Sequence, residues 1–234
     1  MTGYYGGGIF VLPGREGGFG SPEPLLGGDG RPLRAGQYWD EDGRQWHAMQ
    51  EPPGIAVTPV DWDGDGDQDL LLGASDGSMV LRLNEGSPEK ARFSTDNLLL
   101  DVRVPGRHAM PAVADWDGDG RFDLISGSYS GAVWWFRNIG EAGEPRFEEA
   151  RQLVGPDGAP HGHRTQVAAQ DFDGDGDVDL LVGDHRVEAH GEGGRRTHGF
   201  VWLYRRELPA AIEAPADGAR GTEVRDGERP AAGH

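Results

Sequence analysis

Asp61, Asp63, Asp65, Asp67 and Asp69 fall within nine residues of the stretch DWDGDGDQDLLLG, which then runs straight into leucines. Carboxylates this close repel one another, by roughly 1 to 4 kcal/mol per pair at contact distance. Something must offset that repulsion, and a divalent cation among the oxygens would. If the loop curls tightly, aspartates at loop positions 1, 3, 5 and 9 converge on one point. Glycine at position 6 (Gly66) permits the sharp turn with positive φ. Carboxylates and a backbone carbonyl together supply the roughly six to eight oxygens that Ca²⁺ takes. Mg²⁺ suits such a loop less well, because it demands fewer and more rigidly placed ligands.

The stretch recurs. DWDGDGRFDLISG starts at residue 115 and DFDGDGDVDLLVG at residue 171, with spacings of 54 and 56 residues. The side-chain ligands expected in the second copy are Asp115, Asp117, Asp119 and Asp123, and in the third Asp171, Asp173, Asp175 and Asp179. In the first copy they are Asp61, Asp63, Asp65 and Asp69. Position 7 varies as Asp67, Arg121 and Asp177. A guanidinium is no oxygen ligand, so position 7 is expected to offer only its backbone carbonyl. An EF-hand would need a glutamate at position 12 and flanking helices. Leu72, Ser126 and Val182 stand there instead, already inside apolar runs. One Asp-Gly segment would read as an ordinary acidic turn; three in register argue for three cation sites.

These loops need a scaffold that presents them identically. A short apolar stretch precedes each copy: IAVTPV (55–60), MPAVA (110–114) and TQVAAQ (165–170). After the acidic loops come GSMVLRLNEG (77–86), GAVWWFRNIG (131–140) and GFVWLYRREL (199–208), then ARFSTDNLLL (91–100) and PRFEEARQLV (145–154). Segments such as VWWF and FVWLY are short, aromatic and β-branched, as strands are. The pattern is strand, acidic loop, strand, hairpin, strand, turn, strand. About 50 residues and four strands per unit fit an all-β fold of β-propeller blades, each made of four antiparallel strands.

About three and a half blades are expected. TGYYGGGIFVLPG (2–14) aligns with SGSYSGAVWWFRN (126–138), so residues 1–26 read as the second half of a blade. Residues 27–54 read as an inter-blade loop or insertion. Blades then span 55–104, 105–160 and 161–208, and the Ala/Gly/Pro-rich 209–234 reads as a disordered tail. Closed propellers usually have at least four blades, so the chain is expected to be part of a longer propeller or to assemble with a second copy.

Composition narrows the function. The 234 residues carry a net charge of −18, include 40 glycines and lack cysteine. Glycine richness suits many tight turns, and without cysteine neither disulfides nor thiolate metal sites can form. The acidity argues against nucleic acid as a partner. No apolar run approaches the roughly 18 residues of a membrane span, and MTGYYGGGIF shows no secretory signal pattern. The three loops hold fourteen of the 40 acidic residues.

The D-x-D-G-D-G-x-x-D-L loop ahead of a VWWFRN-type strand resembles the FG-GAP/VCBS repeats of integrin α-chain propellers and many bacterial extracellular proteins. The resemblance covers about residues 2–208. It implies a propeller with about three Ca²⁺ ions, held in loops between the first two strands of each blade. It also implies a secreted, periplasmic or cell-surface location and a non-catalytic binding or adhesion role with structural calcium. The alternative is the propeller domain of a carbohydrate-active enzyme, a polysaccharide lyase or hydrolase; no Ser-His-Asp or glycine-framed nucleophile stands out. DEDG (40–43) is expected to be an ordinary turn, because Trp46 occupies the place of a final aspartate.

The end opposite the acidic loops is the expected recognition face for a protein or glycan. Long segments 27–54, 101–109, 155–164 and 184–198 read as its loops, and loops on rigid scaffolds carry function. They hold His47, His108, His161, His163, His185, His190 and His198. Histidine is common in polar loops, so a histidine metal site is the weaker reading. Trp134 and Trp135 are expected as blade-to-blade core. Trp62, Trp116 and Phe172 share one loop position and are expected to pack on a neighbouring strand.

Overall fold

A computed structural model describes residues 7–35, 38–40, 45–47, 54–94, 98–141, 144–155, 162–191 and 194–206. Five short strands open the chain: β1 (Gly7–Gly8), β2 (Phe10–Val11), β3 (Gly14–Arg15), β4 (Gly18–Phe19) and β5 (Glu23–Pro24). Next come β6 (Arg34–Ala35), β7 (Tyr38–Asp40) and β8 (Gln45–His47). Antiparallel pairs join β1 to β6, β2 to β5, β3 to β4 and β7 to β8.

The repeats follow as regular sheets. β9 (Gly54–Val60), β10 (Asp69–Ala74), β11 (Ser78–Arg82) and β12 (Leu98–Arg103) form the first four-stranded antiparallel sheet. β13 (Met110–Ala114), β14 (Asp123–Gly127), β15 (Val133–Phe136) and β16 (Arg151–Val154) form the second. β17 (His163–Gln170), β18 (Asp179–His190) and β19 (Gly194–Tyr204) form a three-stranded third sheet. Each sheet runs in chain order, as a propeller blade does. The first strands lie alongside one another, and the Thr58 hydroxyl of β9 donates to the Pro111 carbonyl of β13 at 2.7 Å.

The run of leucines after the first acidic loop is explained by burial on both faces. Leu71 packs toward the second sheet with Met79, Leu81, Leu124 and Phe136. Leu70 and Leu72 point the other way, onto Ile9, Leu33 and Phe93. Ile125 and Val133 meet Leu180 and Val182 of the third sheet. A strand covered on both faces has no polar side to alternate with. Trp134 joins the core between the first and second sheets, and Trp135 the core between the second and third, so the two tryptophans serve opposite faces of one blade.

Sheet contact also fixes a glycine in the repeat. A Cβ on Gly73 would sit 2.2 Å from the Ala109 carbonyl, and one on Gly127 would sit 2.0 Å from the Thr165 carbonyl. The equivalent Gly183, in the third sheet, has nothing within 4 Å. The glycine is demanded where a following blade crosses over it.

Three segments differ from the sequence expectation, the first being 101–109, whose opening residues Asp101–Arg103 complete β12. Residues 184–198, expected as a loop, extend the β18–β19 hairpin through pairs such as Arg186–His198 and Glu188–Arg196. Cross-strand pairing rather than strand propensity carries VEAH and RRTH as strands, and Gly191 at φ 59° stands where β18 ends. Residues 27–54, expected as a connection, contain β6, β7 and β8. The Gly28 amide donates to the Phe93 carbonyl at 2.7 Å, which ties this segment to the first repeat. The centre of DEDG (41–43), His161 and the tail from 209 lie outside the described residues.

Candidate metal centre

Each acidic loop joins the first strand of its sheet to the second, so three loops emerge at the same end. Position 1 wraps the loop. Asp61 Oδ1 and Oδ2 accept from the Gly64 and Gly66 amides at 2.9 and 3.1 Å. Asp115 does the same with Gly118 and Gly120, both at 2.9 Å. Asp171 takes Gly174 and Gly176 at 2.6 and 3.0 Å. Position 6 has the expected positive φ, at 94°, 85° and 96° for Gly66, Gly120 and Gly176. Position 4 is left-handed too, at 77°, 76° and 81° for Gly64, Gly118 and Gly174. Sequence reasoning missed that second requirement, although the D-G-D-G spacing holds it.

Position 9 begins the next strand and is buried: Asp69, Asp123 and Asp179 are 1%, 0% and 0% exposed. Its carboxylate ties three pieces of a blade together. Asp69 accepts from the Trp62 amide at 2.8 Å and from the Asn84 amide, beyond β11, at 2.7 Å. Asp123 accepts from the Trp116 and Asn138 amides and from Trp135 Nε1, at 3.2, 2.7 and 3.0 Å. Asp179 accepts from the Phe172 and Arg206 amides at 3.1 and 2.9 Å. Burial pushes the Asp69 and Asp123 carboxyls above the ordinary range, against the pull of those amides.

Three aspartate groups have carboxylate oxygens within 4.8 Å of one another: Asp61, Asp63 and Asp69; Asp115, Asp117 and Asp119; Asp171, Asp173 and Asp179. Positions 1 and 3 converge in every loop. Position 5 joins them only in the second, as Asp119. In all three loops position 5 accepts from the position 7 amide, at 3.0, 3.1 and 2.9 Å for Asp65, Asp119 and Asp175. Position 7 holds the largest surprise. Asp67 is 4% exposed and its Oδ1 lacks a partner, so its side chain is no mere acidic ornament. Its carboxyl is raised by burial and then by Asp65, Asp69 and Asp63. The donor set is entirely oxygen, and its buried, unpartnered Asp117 Oδ1 is suited to a hard cation; Asp67 Oδ1 is unpartnered too but is not among the converging oxygens of the first loop. These residues fit calcium.

The second loop differs from the other two. Arg137, just beyond β15, reaches Asp117 through Nε and Asp119 through Nη2, the latter at 3.3 Å. Arg121 adds a contact to Asp119 and one to the Asn138 carbonyl at 3.0 Å. Two guanidinium groups therefore neutralise this cluster. In the third loop Arg205 stands 3.8 Å from Asp173. In the first, Leu83 occupies the corresponding place and supplies no charge.

A family model for the FG-GAP-like repeat matches residues 61–126 and 115–182. Each match runs from one acidic loop through the next, and together they cover more than half of the 234 residues. The chain belongs to the FG-GAP-like repeat family. No curated protein matches it. In this FG-GAP-like protein the loop aromatics connect one repeat to the next. Trp62 lies 6.3 Å from Phe122 and 6.4 Å from Phe147, both of the second repeat. Trp116 has the Arg206 guanidinium 4.6 Å above its ring, and Arg206 also donates to the Trp116 carbonyl. Phe172, in the same slot, is 37% exposed.

Proposed function

We propose that this FG-GAP-like chain is a non-catalytic binding or adhesion module that works outside the cytoplasm and is stabilised by calcium. The observation that carries the reading is the convergence of Asp61 with Asp63, and of its equivalents in the other two loops, beside a buried aspartate that fastens the blade. Asp61, Asp63 and Asp69 would hold the first ion, with Asp67 adjoining it. Asp171, Asp173 and Asp179 would hold a third. The second loop, with Asp115, Asp117 and Asp119, would hold the weakest ion, because Arg137 and Arg121 already supply positive charge there. Calcium in such sites neutralises carboxylates and stabilises the folded loops by mass action. Extracellular modules bind calcium at about 10⁻⁴ to 10⁻³ M, which suits the external medium.

The end opposite the loops is the proposed partner surface. Further blades, from a longer chain or a second copy, would cover the last sheet. Edge strand β19 exposes Phe200, Val201 and Leu203, and Phe172 of the third acidic loop is exposed as well. Thermal melts in calcium and in EDTA test the reading. Calcium should raise the melting temperature by several degrees, and Asp63→Asn should remove part of that rise. Identical melts would refute it.

A further inference from the structure

Three residues other than glycine adopt positive φ among the described residues: Arg107 at 67°, His108 at 52° and Arg164 at 56°. Such backbone is uncommon for side chains of this size, and it collects at functional sites. All three surround one residue. Tyr129 lies in the β14–β15 hairpin, at the end opposite the acidic loops. Its amide donates to the Arg107 carbonyl at 3.0 Å, and its carbonyl accepts from the Arg164 amide at 3.2 Å. Arg107 and His108 belong to the connection from β12 to β13, and Arg164 to the start of β17. Three separate elements thus converge and hold the backbone in place.

The side chains form a row. The His108 ring meets Tyr129 edge-on at 5.0 Å, and His163 stacks on Tyr129 at 5.9 Å and 17°. The Arg164 guanidinium lies 5.5 Å over the Tyr129 ring. Tyr129 remains 43% exposed, and Arg107, His163 and Arg164 are exposed as well. Neither arginine pairs with a carboxylate among the described residues. Burial, then Arg164 and Arg107, hold the His108 imidazole below its ordinary value, which marks a locally positive field in a chain of net charge −18. Exposed aromatic rings flanked by guanidiniums without carboxylate partners suit a ligand that combines apolar C–H ring faces with anionic groups.

We infer that Arg107, His108, Tyr129, His163 and Arg164 form a binding site for an acidic saccharide, with the guanidiniums taking its carboxylates and the aromatic row facing its sugar rings. The inference rests on reading the chain as a binding module. The net charge of −18 repels polyanions at long range, so binding of this class requires a local site. The test is calorimetric titration of the calcium-loaded full chain with hyaluronan oligosaccharides, beside neutral dextran and poly-glutamate. Hyaluronan should bind, with dextran and poly-glutamate at least tenfold weaker. Arg164→Gln and Tyr129→Ala should each weaken hyaluronan at least tenfold while leaving the calcium-dependent melt unchanged. Absence of hyaluronan binding, or binding that both variants retain, would overturn the site. Equal binding of poly-glutamate would overturn the saccharide class. Either result with an intact calcium-dependent melt leaves the calcium module standing, whereas loss of calcium dependence in the parent chain would strike that reading itself.

Discussion

Aspartates at two positions of the repeated loop can look alike in sequence and do different work. Asp123 is wholly buried and accepts from three donors, two amides and an indole. Hydrogen bonds to a charged acceptor contribute about 1.5 to 3 kcal/mol each, and buried donors left without a partner cost further. Asp123→Ala should therefore destabilise the chain by about 3 kcal/mol or more in urea unfolding, in calcium and in EDTA alike. Asp63 has one weak loop contact, from the Asp65 amide at 3.3 Å, and should matter only when calcium is present. A calcium-dependent penalty for Asp123→Ala would reverse these roles. Arg137 belongs to the same scale. Arg137→Gln removes the guanidinium from Asp117 and Asp119, and should raise the calcium affinity of the second loop several-fold. Unchanged affinity in a calcium titration would mean that the guanidinium does not compete with the ion.

Between elements, one glycine per repeat sets how closely blades approach. Gly127→Ala would drive a methyl group into the Thr165 carbonyl, a 2.0 Å encounter that forces β14 and β17 apart. Overpacking of this kind costs about 1 to 3 kcal/mol. Gly183→Ala meets open space and should be neutral or slightly stabilising, since alanine restricts the unfolded chain. Paired chemical denaturation curves separate the two, and equal losses would contradict the blade-crossing explanation. The element order was largely legible in the sequence, because loop, hairpin and strand recur at nearly constant spacing. What escaped depends on neighbours remote in the chain. Gly73 and Gly127 are specified by the next blade, and Arg206 reaches Trp116 across 90 residues. Asn84 and Asn138 donate from beyond the third strand to Asp69 and Asp123, and their shared N-x-G setting is the signal that would have found them. The β18–β19 ribbon was hidden by its charged, glycine-bounded composition, which reads as loop until the cross-strand pairing is seen.

For the molecule as a whole, acidity and architecture are one property. The fourteen aspartates of the acidic loops stand at one end of the sheets, and three divalent ions would bring the net charge from −18 to −12. The sheets give the loops a common register, while the opposite end gathers exposed arginine and aromatic side chains around Tyr129. The loops were fully visible in the sequence; the Tyr129 row was not, because left-handed backbone at arginine and histidine leaves no compositional mark. Calcium is proposed to bind the three loops through converging aspartates. Native mass spectrometry of the chain across a calcium titration tests it most directly. Three ions are expected, the last of them weak, with Asp63→Asn losing one and Arg137→Gln tightening the weakest. A chain that acquires no specific calcium at millimolar concentration, or an Asp63→Asn variant with an unchanged count, would contradict it.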